Sequence, residues 1–463
     1  MEKDTVAIIG PQFSVMAHVI SHIANEMQVP ILSFAATDPT LTSLEFPYFV
    51  RTTQSDLNQM AAVADIVDHF QWRDVIAIFI DDDHGRNGVA ALGDKLEEKH
   101  SKISYKVALR PGELTTDEIN NALFKVAMME SRVIVLHVTL HFGLQVLHLA
   151  QSHGMMGSGY VWIATDWLST ILDSDPSLST SAAMNDMQGV ITLRMYTPES
   201  KNKRNFTSRW NRNLSHNIVS DHDHNHGPSF GLNMFGLYAY DTVCVLASAL
   251  DAFFNNGGTL SFSNDSNLNM LRGDALHLDN LRVFVNGSML LQKILDVNIT
   301  GLTGNIMFGR DGNLMNPSYE IINVIGSGIR RIGFWSEPSG LHTGVESPNQ
   351  SNSRKGLYGV IWPGQTTHTP RGWVFASNGR HLKVGVPLNI TYDELVSRIK
   401  GSNMFTGYCI DVFTAAIELL PYSVPFKYIP VGDGKTNLTY TDILHMMKEG
   451  VSVIYLLNIS PKL

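Results

Sequence analysis

The sequence predicts an α/β protein with parallel sheets, in which a large first domain is followed by a second, incomplete one. Three observations carry this. Short apolar, β-branched runs are each followed by turn residues and a helix-period pattern, the sequence form of βαβ units. Residues 75–80 are almost continuously apolar, as a strand covered on both faces must be. At 463 residues the chain is too long for one hydrophobic core.

The elements follow in order. Residues 6–9 form a strand ended by Gly10-Pro11, and Val15, Val19, Ile23 and Met27 follow at four-residue spacing on one face of a helix with Ser14 as its N-cap. Residues 31–35 are the next strand. A helix over about 56–70 leads into the strand at 75–80, and DDDHGRNG turns the chain into another helix. Strands at 133–138, 160–164 and 189–193 are joined by crossovers such as the helix at 144–152, right-handed by rule. Residues 202–228 are polar and irregular, and 232–254 form a long helix stopped by Asn255-Asn256-Gly257-Gly258. From Gly301, alternation and Asp-Gly turns predict strands that close the first domain, 1–345. Residues 346–371, rich in Ser, Pro, Asn, Gly and Thr, form a linker with small satellite elements. A second α/β phrase fills 372–451, with strands at 382–386 and 426–431 and helices near 392–400, 408–420 and 440–448; residues 452–463 diverge as a tail. Two or three parallel strands leave both faces of a sheet uncovered, so this second domain reads as incomplete.

Composition excludes several functions. Lys+Arg 34 against Asp+Glu 43 leaves a net charge of −9, with no basic surplus to neutralise phosphates, so nucleic acid is not expected as a partner. Two cysteines, Cys244 and Cys409, cannot build a disulfide framework or a cysteine metal cluster. The opening MEKDTVAIIG lacks the basic region and longer apolar core of an export signal, and no eighteen apolar residues run together, so neither a signal peptide nor a transmembrane segment is expected. Against this stand nine N-x-[ST] acceptor sites, at Asn205, Asn213, Asn264, Asn286, Asn298, Asn349, Asn389, Asn437 and Asn458, which point to the secretory route. There is no G-x-S-x-G, phosphate loop, dinucleotide fingerprint or H-E-x-x-H, so no catalytic residue, cofactor or enzymatic activity is predicted.

The candidate residues cluster at strand ends. Asp81, Asp82, Asp83 and His84 follow the strand at 75–80, at a carboxyl end where open α/β sheets bind ligands; the alternative is a charged turn shaped by Gly85 and Gly88. Ser33, Thr37 and Asp38 end the second strand, and Asp166 ends another. Hydroxyls and backbone N–H groups there suit a carboxylate, and a carboxylate suits an ammonium, so the set fits an α-amino acid; the alternative is turns and caps. His18 and His22 stand four apart, without the glutamate of a zinc protease, and are read as helix-surface residues. His222, His224 and His226 are read as a solvated loop, and no metal site is predicted.

VAIIGPQFSVMAHVISHIANEMQVPILSFAATDP, FPYFVRTTQSD, DDDHGRNG, GYVWIATDWLST, GLYAYD and NPSYEIINV together resemble the amino-terminal domain of plant glutamate receptor-like channels. PRGWVFASNGRHLKVGVP, MFTGYCIDVFTAAIELLPYSVPFKY and VGDGK resemble the first segment of the ligand-binding domain of the same ionotropic family. The resemblance implies a bilobed, type I periplasmic-binding-protein-like domain followed by part of a type II clamshell. It implies the extracellular ligand-sensing portion of an amino-acid-gated cation channel at the plasma membrane, cut before the pore, with small amino acids such as glutamate as ligands and other subunits of a tetramer as partners. A soluble amino-acid-binding protein, or a fragment that only assembles with full-length subunits, are the alternatives.

By the same resemblance Thr37 lies near the ligand carboxylate, His84 takes the place of a stacking aromatic, Asp166 faces the ammonium, and Ala35 stands where amino-acid-binding relatives carry a serine. Thr436 occupies the place of an aromatic lid in the second domain, and Phe13 that of a cysteine paired with an upstream partner. The family has an earlier strand and helix, and an arginine clamping the agonist carboxylate after the helix near Lys448; here VSVIYLLNISPKL follows Gly450, so that contact is not expected. With a central strand gone, marginal stability is expected of the chain alone.

Overall fold

The fold is that of a computed structural model describing residues 4–112, 115–175, 178, 183–220, 231–263, 282–344, 355–374, 382–387, 394–398, 405–418, 426–431, 439, 441, 445 and 454–455. The chain divides into two compact units, residues 1–126 with 131–372, and residues 127–130 with 373–463.

In the first unit β1 (Ile8–Ile9), β2 (Ile31–Ser33) and β3 (Phe49–Arg51) form a small parallel sheet in that order, with α1 (Ser14–Met27) as the first crossover. The chain then leaves this lobe through residues 52–55 into α2 (Asp56–His69), β4 (Asp74–Ile80), α3 (Asp83–Glu97), β5 (Lys102–Leu109), α4 (Thr116–Ala127), β6 (Val133–His137), α5 (Leu140–Ser152), β7 (Val161–Ala164), α6 (Asp166–Ser174), α7 (Ala183–Asp186) and β8 (Ile191–Met195). These strands run parallel, and the largely apolar β4 and β6 are each flanked by strands on both sides and buried along nearly their whole length, as their composition demands.

The chain returns to the small lobe as α8 (Lys201–Ser220), α9 (Met234–Asn255), β9 (Phe262–Ser263), β10 (Val283–Phe284), α10 (Gly287–Leu295), β11 (Asn298–Thr300) and β12 (Asn305–Met307). It then crosses once more to finish the large sheet with antiparallel β13 (Ser318–Ile325), β14 (Gly328–Ser336) and β15 (Gly340–His342). The sheet order is β15-β14-β13-β8-β7-β6-β4-β5. Leu32, Val50, Val245, Phe253, Phe284 and Ile294 fill the core of the small lobe, while a second cluster joins Val75, Val135, Ile163, Leu193 and Ile321 of the large lobe to Met234, Leu237 and Tyr238 at the start of α9.

Several sequence expectations are corrected. The N-cap of α1 is Phe13, and Ser14 lies inside the helix. Its buried face is Ser14, Ala17, Ser21, Ala24 and Met27, small residues that allow close approach, while Val15 and Val19 face outward at 41% and 55% exposure. Residues 201–220, expected as irregular, form the twenty-residue helix α8; its polarity on nearly all sides hides the period, and only Phe206 packs into a core from the described part. Within 392–400, expected as a helix, the described residues contain β17 (Ser397–Arg398), which pairs with β18 (Phe405–Thr406).

The apolarity of α9 exceeds the sequence expectation: it is long and apolar enough to cross a membrane by length and composition. It packs as a core helix, burying Val245, Ala249 and Phe253 together with Asp241, whose carboxylate accepts from the backbone N–H groups of Leu302 and Thr303 at 2.8 and 2.7 Å.

Part of the expected linker, 346–354, lies outside the described residues. The stretch after it packs on the first unit. Trp362 is buried and packs edge-on against the stacked pair Phe70 and Trp72 (ring centroids 5.0 and 5.6 Å), Asn323 exchanges hydrogen bonds with Ile361 at 2.9 Å each way, and Trp72 Nε1 donates to Pro370 O at 2.9 Å.

In the second unit β16 (Leu382–Pro387) lies between β19 (Phe426–Val431) and β20 (Ile454–Tyr455), all parallel, so part of the expected tail joins the sheet. Val386, Val396, Phe405 and Ile410 form its core, with α11 (Tyr408–Glu418) alongside β18.

Candidate functional site in the first unit

The carboxyl ends of β2, β4, β6 and β7 bring the site together. Thr37 follows β2 in the small lobe. Asp56 opens α2, His84 lies in the first turn of α3, His137 ends β6 and Asp166 opens α6, all on the large lobe. Each helix begins where its strand stops, so side chains from separate crossovers meet at one end of the sheets.

Asp56 is the hub. Its side chain is 1% exposed. Thr37 Oγ1 donates to Oδ2 at 2.8 Å, linking the two lobes directly, and Gln59 Nε2 donates to Oδ1 at 2.8 Å. His84 Nδ1 stands 3.2 Å from Oδ2 as an ion pair. Burial alone pushes a carboxyl up, but the charges of His84 and His137 and the Thr37 hydroxyl outweigh it and hold Asp56 well below the usual carboxylate range. The converse acts on His84: burial opposes its charge, yet Asp56 overcomes this and raises it to about 9. His137, buried beneath His84 with ring centroids 4.5 Å apart, is pushed by burial and by the His84 charge down to about 4.

Gln59 is the second bridge. Its Nε2 also reaches Asp166 Oδ1 at 3.3 Å, and its Oε1 accepts from Asp166 N at 2.6 Å. Burial first, and the Asp56 charge second, raise Asp166 to about 7. Tyr319, at the start of β13, is fully buried; its hydroxyl has no hydrogen-bond partner among the described residues and feels the charges of Asp166 and Asp56.

Thr37, His84 and Asp166, expected at the site, are therefore within one network. The rest of the expected strand-end set does other work. Ser33 Oγ donates to Pro11 O at 2.8 Å and accepts from Ala36 N, a turn. Asp38 takes His18 Nε2 at 3.1 Å and Asn87 Nδ2 at 3.0 Å, fastening the small lobe to α3. Asp82 caps α3 by accepting from Gly85 N, and Asp81 and Asp83 pair with Arg86 at the surface, so the charged turn is the right reading for those three. His22 lies edge-on to Phe46.

Thr436 and His222, His224 and His226 lie outside the described residues, as do the acceptor sites Asn264, Asn349, Asn389, Asn437 and Asn458. Asn205 and Asn298 are exposed, Asn213 lies on α8, and the Asn286 amide donates to Thr259 O at 2.8 Å.

Asp56, Gln59, His137 and Tyr319 were not legible as site residues. Asp56 follows Ser55 as an ordinary first-turn acid, and His137 closes an apolar strand. The one available signal was position: His137 sits at the end of a central strand, as Asp166 does next to its own.

Comparison with known proteins identifies the family of the fold. Residues 1–327 match the family model described as receptor family ligand binding region. The chain is 49% identical over 451 residues to "Glutamate receptor 3.1" of Oryza sativa subsp. japonica, covering 96% of this chain and 47% of that protein. To "Glutamate receptor 3.4" of Arabidopsis thaliana it is 49% identical over 451 residues, covering 96% and 46%. To "Glutamate receptor 3.2" of Arabidopsis thaliana it is 46% identical over 462 residues, covering 97% and 49%. The chain spans about half the length of the curated relatives it matches. A ligand-binding region of type I periplasmic-binding-protein-like fold is what these findings share, and the chain belongs to that receptor ligand-binding-region family, as a glutamate receptor-like member.

Proposed function

We propose that the chain is the extracellular ligand-sensing portion of an amino-acid-gated cation channel, and that its first unit closes its two lobes over a small amino acid such as glutamate. The observation that carries the reading is the direct bond from Thr37 of the small lobe to Asp56 of the large one, with Asp166 joined through Gln59. The ionised Asp56, with the Asp166 carboxyl beside it as an acceptor, suits an ammonium, and the Thr37 hydroxyl with the backbone beside it suits a carboxylate. An entering zwitterion replaces the Thr37–Asp56 bond by bonds to itself, so ligand bridges the lobes where they now bridge each other. Differential affinity for the closed arrangement is the free energy that such a receptor passes to a pore. Gating, assembly with other subunits and a plasma-membrane location belong to the receptor as a whole; the relatives' names support the glutamate receptor part of this reading. The exposure of Asn205 and Asn298 supports these two as glycan acceptors in that setting.

The test is a thermal-shift screen of the purified chain against the common amino acids. A stabilisation that saturates with one or a few of them, and that Asp166→Asn removes, is the expected outcome. A melt unmoved by every amino acid contradicts the reading.

A further inference from the structure

Asp56, His84 and His137 each offer one ligand atom, and the three atoms lie within 4.8 Å of one another. A tetrahedral zinc site needs ligand atoms about 3.4 Å apart, from bonds of about 2.0–2.2 Å, so small side-chain rotations close the set. His137 Nε2 is buried and makes no hydrogen bond of good geometry among the described residues, in a residue 2% exposed, although the His84 backbone acts on the ring. One tautomer of His137 suits a ligand: Thr165 Oγ1 lies 3.1 Å from Nδ1 and 3.5 Å from the Leu136 carbonyl, and with the proton on Nδ1 the ring donates to Thr165 and keeps a lone pair on Nε2. Outer partners hold the other side as well, Thr37 and Gln59 fixing the Asp56 carboxylate. Gly88, one turn after His84, completes the cradle: a Cβ there would fall 2.4 Å from Nε2.

We propose that Asp56, His84 and His137 form a site for a divalent transition ion of the zinc class, two imidazoles and one carboxylate leaving a fourth position for water or an exogenous oxygen. The ion is held by residues of the large lobe alone, and the inference does not depend on amino-acid binding.

The experiment is titration of the chelator-treated whole chain with Zn²⁺ by calorimetry and with Co²⁺ by visible absorption, beside Mg²⁺. The expected result is one equivalent bound by the wild type, retained when His222, His224 and His226 are all replaced by alanine. His137→Ala is expected to weaken it at least about tenfold, as loss of a ligand does. Gly88→Ala, which keeps all three ligands, and His84→Gln, at a partly exposed position, are expected to do the same with unchanged circular dichroism; either serves if His137→Ala does not fold. No uptake by the wild type, uptake lost in the triple loop variant, or uptake indifferent to the folded site variants overturns the proposal.

Discussion

Arg51 is the residue on which the ligand-side loop of the small lobe hangs. Its guanidinium is 1% exposed, lowered by burial to about 10, and donates to Ala36 O, Asp38 O, Leu41 O and Asn313 Oδ1. One planar fork thereby fixes 36–41, and with it Thr37, against the loop before β13. Lysine keeps the charge and loses the fork. Arg51→Lys is expected to cost about 2–4 kcal/mol in denaturant unfolding, and an unchanged midpoint contradicts this role.

Asp166 gives a pH dependence with a definite sign. Folded, it keeps its proton up to about 7, against 3.8 for the free side chain. A carboxyl raised in this way contributes stability that is complete below about pH 4 and lost as pH rises through about 7. The facing groups are Asp56, which raises it, and Gln59 and His84, which lower it. In chelator-containing buffer, melting temperature is expected to fall more between about pH 4 and 7 in the wild type than in Asp166→Asn; parallel profiles contradict the assignment. At this scale sequence reading reached Thr37, His84 and Asp166 through the family likeness, and missed Asp56 and His137 because a helix-start acid and a strand-end histidine look structural until the fold places them face to face.

At the scale of elements, periodicity works where one face is apolar and large, as in α2, β4, β6 and α9. It fails in α1, where packing is by Ala and Ser and the valines face outward, and in α8, which is polar nearly all round. Composition alone also misled for 355–372: Ser, Pro and Gly mark a linker, but Trp362 anchors the stretch on the first unit. Trp362→Ala is expected to cost about 3–5 kcal/mol by leaving a cavity against Phe70 and Trp72, and to open 355–372 to proteolysis before the rest of that unit. Gly85 is equally constrained. A Cβ there meets Ile80 O at 1.9 Å, so Gly85→Ala is expected to displace the start of α3 and lower the melting temperature, whereas Gly93→Ala, which meets only Ile103 Cδ1 at 3.8 Å, is not.

At the scale of the molecule, the parallel α/β class was legible because βαβ units repeat along the chain. The sharing of strands between two lobes was not, since β1–β3 and β4–β8 carry the same kind of sequence and only the threefold crossing separates them. Residues 52–55, the return after β8 and the entry to β13 connect the two lobes, and the Thr37–Asp56 and Asp38–Asn87 bonds run between them, the contacts that the proposed closure over a ligand would exchange. The most direct measurement is calorimetric titration of the wild-type chain and of Thr37→Ala with L-glutamate and with each amino acid active in the thermal screen. Saturable one-to-one heat is expected for at least one of them, weakened in the variant; no heat with any, or equal affinity in the two proteins, contradicts a ligand held between the lobes.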